Sequence, residues 1–156
     1  MSTRSYIAKQ IGEDRYKTIY CHCDGYLRHN GKMLLEHYNT PEQVDALLAL
    51  GDISFLDEKL NPSSESPHSF QYGERQEGVT LAYGRDRGEQ GTDAKVMTMA
   101  QLDDPDNWSE YVYIFTPDNQ WKYFESGKSQ EGLKDVREDL NALETMTAPD
   151  DLVQSM

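Results

Sequence analysis

The sequence predicts a single α+β domain, in which a mostly antiparallel sheet, built from two hairpins plus middle strands, carries about three helices on one side. Three observations lead to this prediction. Segments that alternate between apolar and polar residues indicate strands in the first and last thirds of the 156-residue chain. Segments with leucine and valine at helical spacing follow both hairpins. A domain of this length buries roughly 70% of its unfolded surface, which is enough for one core.

The first hairpin is predicted from strands at residues 5–11 and 15–23, joined by a turn at Gly12-Glu13-Asp14. Alternation along the second strand places Ile19, Cys21 and Cys23 on one face. We predict that this face is buried, because cysteine behaves as a small hydrophobic residue.

Two helices are predicted after this hairpin. The first covers residues 31–38, with Asn30 as its N-cap. The second begins at Pro41 after the N-cap Thr40, and Gln43 stands where a capping-box partner belongs.

The middle of the chain predicts a surface loop near residues 61–68, which are polar and contain two prolines. Strands are predicted at residues 79–83 and 94–100, and residues 84–88 form a turn after the first of them. We treat residues 1–156 as one domain because neither side of the loop holds enough apolar residues to fold alone.

A second hairpin is predicted from strands at residues 111–116 and 121–125. It is rich in aromatic residues, and the sequence leaves open whether they form core or interface. Ser129 is predicted to be the N-cap of a last helix, and residues 148–156 are predicted to form a flexible tail. The apolar stripe of that helix comprises Leu133, Val136, Leu140 and Leu143.

The net charge of −13 predicts a surface that repels nucleic acids and anionic lipids and attracts basic proteins. No apolar run approaches the roughly 20 residues of a membrane helix, and no apolar signal core follows Met1, so we expect a cytoplasmic protein. We expect no cofactor, no membrane and no direct nucleic-acid binding, and leave the oligomeric state open. Acidity for solubility alone is the competing explanation.

Carboxylates concentrate in the last third of the chain. Residues 101–120 contain five acidic residues and neither lysine nor arginine. Carboxylates along helices and strand edges can be spaced like the phosphates of a duplex, so this region predicts a partner-binding surface. The predicted partner-binding residues are Asp103, Asp104, Asp106, Glu110, Tyr111, Asp118, Glu131, Asp135, Glu138 and Asp139.

A small-ligand site is the alternative prediction. Arg85 and Arg87 lie in a glycine-flanked turn, where two guanidinium groups suit a phosphate or carboxylate. We place the remainder of that ligand site at His22, Asp24 and Tyr26, where the second strand ends.

A zinc site is a further alternative, because two cysteines and two histidines provide the right number and type of ligands for a structural zinc ion. Its ligands would be Cys21, Cys23, His29 and His37. The single residue between the cysteines is shorter than the usual zinc spacing, so we assign no metal. A cysteine nucleophile with His22 as its base is disfavoured, because neighbouring strand residues point to opposite faces.

Several motifs together resemble a group of small proteins carried by bacteriophages and prophages. These motifs are Met1-Ser2-Thr3-Arg4-Ser5, Ile19-Tyr20-Cys21-His22, Asp24-Gly25-Tyr26, Gly31 with Leu34-Leu35-Glu36-His37-Tyr38-Asn39, Leu50-Gly51-Asp52-Ile53-Ser54 and Arg85-Asp86-Arg87-Gly88-Glu89. The resemblance implies a phage setting and location in the bacterial host cytoplasm, with no established activity. By analogy with acidic phage proteins, it implies an inhibitor of host defence, of the anti-CRISPR or anti-restriction type.

The leading hypothesis is therefore a non-enzymatic inhibitor whose acidic surface blocks nucleic-acid binding by a basic host complex, such as a CRISPR effector or restriction enzyme. The alternatives are a protein or enzyme that binds or sequesters a small anion or nucleotide through Arg85 and Arg87, and a zinc-stapled structural protein.

Overall fold

The computed structural model describes residues 3–104, 106–107 and 109–155, with side chains described as far as residue 145. These residues form one mixed sheet with helices, which confirms the α+β class. The strands are β1 Ser5–Gly12, β2 Arg15–Cys21, β3 Ile53–Phe55, β4 Leu81–Ala82, β5 Lys95–Met97, β6 Tyr111–Phe115, β7 Trp121–Glu125 and β8 Lys134–Asp135. The helices are α1 Lys32–His37, α2 Pro41–Ala49, α3 Tyr83–Arg87, α4 Met99–Leu102 and α5 Val136–Ser155.

The sheet has the order β4-β3-β2-β1-β6-β7-β8, and β5 also pairs with β2. Both predicted hairpins are present, as β1–β2 and β6–β7. However, β6 is parallel to β1 and β3 is parallel to β2, so the prediction of a mostly antiparallel sheet was wrong in this respect. Side-chain alternation identifies a strand and its buried face, but it carries little information about a distant partner or its direction.

Both faces of the sheet are covered in its centre. On one face, Ile7, Ile19 and Tyr113 pack against α1, α2 and α5. On the other, Ile114 and Phe124 pack in a smaller core with Leu102 of α4. The prediction of about three helices on one side is therefore corrected to five helices in the described chain, with α4 on the opposite face.

The aromatic second hairpin is mainly core. Four consecutive β6 residues, Val112, Tyr113, Ile114 and Phe115, are no more than 1% exposed. Tyr111 at the start of the strand is only half-buried. This hairpin has buried residues on both faces because it lies between the helix layer and α4.

The predicted capping box of α2 is confirmed: the Thr40 hydroxyl accepts the Gln43 amide proton, and the Gln43 side chain accepts the Thr40 amide proton. The preceding helix begins earlier than predicted, with a π-helical turn at Leu27–Gly31 that leads into α1. Asn30 is therefore inside the helix. Its buried amide donates hydrogen bonds to Ser5 Oγ (3.0 Å) and Cys21 Sγ (3.3 Å).

The predicted strand at residues 79–83 shortens to β4, and the predicted turn at residues 84–88 is mainly the helix α3. The strand predicted at residues 94–100 divides into β5 and α4, because Thr98 caps a new helix. Within the described residues, no helix is both long and apolar enough to cross a membrane.

The last helix begins later than predicted. Ser129 starts a short 3₁₀ turn, Ser129–Glu131, and Asp135 caps α5 by accepting the Glu138 amide proton at 2.9 Å. The helix then continues to Ser155, past Ala148, where the sequence predicted a flexible tail.

Candidate functional site

A cleft of about 650 Å³ lies on the sheet face opposite the main helix layer. It exists because two short strands share one edge of β2. The strand β5 pairs with residues 16–18 and β3 pairs with Cys21, which leaves a gap in the pairing at Ile19 and Tyr20. In this gap the Asp52 carboxylate takes the place of a strand partner's carbonyl and accepts the Tyr20 amide proton at 2.9 Å.

The polar lining of the cleft comes from five separate segments of the chain. Its main polar side chains are Arg4, Tyr6, Tyr20, His22, Asp52 and Lys95. Tyr6 and Tyr20 are cross-strand neighbours, and their rings meet edge to face at 6.3 Å. The Tyr20 hydroxyl hydrogen-bonds His22 Nδ1 at 2.8 Å. The cleft therefore combines an aromatic wall with basic and acidic groups.

The electrostatics of the cleft follow from its partial burial. Burial raises the pKa of the Asp52 carboxyl above its usual range, and the Tyr20 amide and Lys95 oppose this effect. Burial also raises the pKa of the Tyr20 phenol to about 12, while the guanidinium of Arg4, which contacts it, acts in the opposite direction. The Tyr20 phenol is thus protonated at neutral pH and suited to hydrogen bonding.

Alkaline pH is expected to destabilise the protein through this phenol. Because its pKa of about 12 in the folded protein exceeds the ordinary value of 10.0, its contribution is complete below pH 10 and is lost as pH rises toward 12. Urea unfolding across this range should therefore show a falling midpoint. The decline in midpoint should be shallower for Tyr20→Phe than for the unmodified protein. Tyr72→Phe, which changes a fully exposed tyrosine, should show the same decline as the unmodified protein. Equal slopes for Tyr20→Phe and the unmodified protein would contradict this assignment.

Of the predicted ligand residues, His22 lines the cleft, whereas Asp24 and Tyr26 do not. Asp24 lies in the turn after β2 with a positive φ of 54°, and the ring of Tyr26 contacts His29. Alternation along β2 could have added Tyr20 to His22, because both face the same side. Asp52 and Lys95 carried no such signal, because they come from distant segments.

The predicted anion clamp has partners within the chain. Arg85 donates to the carbonyl oxygens of Leu60 and Thr80 and to the Asp86 carboxylate. Arg87 pairs with Glu89 and stacks over the rings of Phe70 and Tyr83. These arginines hold α3 against the preceding loops, and neither lines the cleft.

A buried polar cluster supports this region and was missed by sequence reasoning. The side chains of His68 and Asp86 are 2% and 3% exposed and approach to 3.5 Å. Asp86 also accepts the Ala82 amide proton at 2.8 Å, and His68 Nδ1 accepts that of Gln76 at 2.9 Å. The predicted loop at residues 61–68 is thereby tied to α3.

The structure does not bring the four zinc-ligand candidates together. Cys21 is buried beside Asn30, whereas His29 hydrogen-bonds the Leu56 carbonyl and His37 lies near Glu58. Cys21 and Cys23 are both reduced and form no disulfide bond. Within the described residues, no group of three or more His, Cys, Asp and Glu side chains could hold a metal ion.

The predicted acidic surface is divided by the fold. Asp118 lies in the β6–β7 turn and Glu110 lies at the other end of β6, a strand length of about 17 Å. Asp135 pairs with Lys122 at 2.9 Å, and Asp139 accepts the Tyr123 hydroxyl at 2.7 Å. Glu138 is exposed on the first turn of α5.

Five carboxylates lie along one end of the second hairpin, and we call this surface the acidic edge. Asp103 joins the two segments that form it, because its Oδ1 accepts the amide protons of Gly127 and Ser129 at 2.8 and 3.2 Å. The Ser126 amide donates to the Glu110 carbonyl at 3.0 Å. The acidic edge comprises Asp104, Asp106, Glu110, Glu125 and Glu131.

Comparison with protein-family models, with curated proteins and with solved structures found no match to this chain. The fold and the two surfaces therefore define an α+β protein with an acidic edge and a polar, aromatic cleft.

Proposed function

We propose that this chain is a phage-encoded, non-enzymatic inhibitor of a bacterial nucleic-acid-targeting defence complex. The acidic edge would occupy a basic channel of that complex and block nucleic-acid binding, with no turnover. The phage setting rests on the sequence resemblance. The observation that supports the mechanism is the convergence of two acidic segments, residues 104–110 and 125–131, at one end of the sheet.

The charge around this edge supports a basic partner. Residues 101–145 contain eleven acidic and four basic residues. Two of these basic residues, Lys122 and Lys128, are paired with Asp135 and Glu125. Such a predominantly acidic surface accelerates encounter with a basic partner and repels nucleic acid.

Tyr111 adds an aromatic group beside Glu125, and its ring stacks on that of Tyr113 at 6.2 Å. It stands opposite Glu125 in the β6–β7 register and directly follows Glu110. Burial raises the pKa of its phenol, and the charges of Glu125 and Glu110 act in the same direction. A half-buried tyrosine among carboxylates is typical of protein interfaces, whose contact residues are enriched in tyrosine.

The roles of Asp103, Asp135 and Asp139 are different. Their carboxylates accept hydrogen bonds that hold turns, strands and α5 together, so changing them would also disturb folding. A test of partner binding should therefore spare all three and use the exposed carboxylates of the acidic edge.

The triple variant Asp104→Asn/Asp106→Asn/Glu131→Gln is expected to weaken inhibition about tenfold or more, because it removes three charges and keeps the side-chain shapes. The measurement is DNA cleavage by a panel of purified CRISPR effectors and restriction enzymes, at low and moderate salt. Inhibition should weaken as salt rises, because salt screens exposed charges.

The matched control is Glu42→Gln/Glu65→Gln/Glu77→Gln, which removes the same charge at exposed positions outside the acidic edge. Loss of inhibition only in the first variant supports the proposal. Equal inhibition by the acidic-edge variant and the unmodified protein, or no inhibition of any enzyme in the panel, would overturn it.

A further inference from the structure

We infer that the cleft beside β2 binds a small nucleotide, with its phosphate at Arg4 and Lys95 and its flat ring against Tyr6 and Tyr20. This inference goes beyond the proposed inhibition, because the cleft and the acidic edge share no residue, although they adjoin where the Glu110 carboxylate accepts the Arg4 amide proton at 3.1 Å. It also places anion binding at residues other than Arg85 and Arg87, whose guanidinium groups contact partners within the chain.

The size and position of the cleft suit such a ligand. Its volume of about 650 Å³ falls within the range of small-molecule pockets. It lies where β5 and β3 leave a gap along β2, so backbone and side chains from several segments converge on it. Pockets with an apolar wall and a few converging polar groups are the usual form of a small-ligand site.

The basic groups suit a phosphate. Lys95 is exposed on β5 and makes no ion pair within the described part of the chain. Arg4 contacts the Tyr20 phenol, but a guanidinium has five N–H donors, so it can serve this contact and a phosphate together. Arginine and lysine are the side chains that proteins use most to bind phosphate.

The remaining lining suits the ring and sugar of a nucleotide. The rings of Tyr6, Tyr20 and His22 form one wall, with neighbouring centroids 6.3 and 6.0 Å apart. Flat bases stack on such side chains with little dependence on sequence. The half-buried Asp52 carboxylate provides an acceptor for a ribose hydroxyl or an exocyclic amine.

The test uses adenosine 5′-monophosphate as the probe, with adenosine and ribose 5-phosphate as partial probes. Titration calorimetry should show saturable binding of the monophosphate. Each partial probe should bind about tenfold more weakly or worse, because one lacks the phosphate and the other lacks the ring. In an amide NMR spectrum, the shifts should concentrate at β2, β5 and Asp52.

Lys95→Gln should weaken binding of the monophosphate about tenfold, because it removes one phosphate contact at an exposed position where folding is not at risk. The matched control is Lys32→Gln, an exposed lysine of α1 in the helix layer. Glu131→Gln, at the acidic-edge carboxylate in the turn after β7, should bind the monophosphate normally while weakening inhibition, which separates this inference from the proposed inhibition. Absence of saturable binding, or equal weakening by both lysine variants, would overturn the inference.

Discussion

Gly51→Ala is expected to destabilise the protein by about 3 kcal/mol or more, because an added Cβ atom meets backbone that cannot move away. Built on Gly51, that atom would lie 2.2 Å from the Thr92 carbonyl oxygen. The same oxygen accepts the Asp52 amide proton at 2.7 Å, so it is held in place. Gly51 also has a φ of 77°, a backbone conformation that residues other than glycine adopt only at a cost in free energy.

The matched control is Gly91→Ala, which separates the steric effect from the backbone conformation. Gly91 has a nearly identical φ of 76°, but an added Cβ atom would meet nothing within 4 Å. Its substitution should cost about 1 kcal/mol, the usual cost of the left-handed conformation. Urea unfolding followed by tryptophan fluorescence measures both variants. Equal losses would show that the contact with Thr92 does not constrain the fold.

Asp86→Asn is expected to cost about 3 kcal/mol, the scale seen when one partner of a buried ion pair is removed. The Asp86 carboxylate accepts bonds from Arg85 Nε and Nη2 at 2.8 and 3.0 Å and from the Ala82 amide. In Asp86→Asn, the side-chain amide carries no charge, and its N–H₂ group faces donors where the carboxylate presented acceptors. The consequence should be a lower midpoint of unfolding.

Glu89→Gln is the control for Asp86→Asn, because it breaks the neighbouring ion pair with Arg87. Both side chains of that pair are about half exposed, at 50% and 46%. Its loss should cost less than about 1 kcal/mol, as is usual for surface pairs. A small effect in both variants would indicate that the Asp86 carboxylate is not important for stability.

These two stability predictions bear on the cleft. Gly51 precedes Asp52, whose carboxylate occupies the gap in β2 pairing, and the contact with Thr92 sets the course of the backbone there. Asp86 holds α3 next to β4, which pairs with β3. The cleft thus depends on two supports that lie outside its lining.

Local features of this protein were determined by the sequence alone. The two hairpins and the capping box of Thr40 and Gln43 agree with the prediction. These features depend on residues within a few positions of one another, where alternation, capping and turn preferences act directly. The high negative charge is likewise a property of composition.

The start of α1 and the roles of single polar residues were decided by tertiary contacts. The sequence predicted Asn30 as an N-cap, but its side-chain amide donates hydrogen bonds to Ser5 and Cys21 across the core. The sequence predicted that Arg85 binds an anion, but its guanidinium donates hydrogen bonds to the Asp86 carboxylate and to two backbone carbonyls. For Asn30 the competing partners are distant in sequence, whereas for Arg85 they are the adjacent Asp86 and the carbonyl oxygens of Leu60 and Thr80.

Strand order and both candidate surfaces were likewise decided only by the tertiary structure. The parallel pairing of β1 with β6 joins segments about a hundred residues apart, and alternation contains no record of that choice. Folding brings Arg4, Asp52 and Lys95 together at one gap beside β2, where they line the cleft. It also brings two carboxylate segments together at one end of the sheet, where they form the acidic edge. The sequence alone indicated four of the acidic-edge carboxylates and His22 of the cleft, but which distant segments come together depends on strand pairing, which alternation does not record.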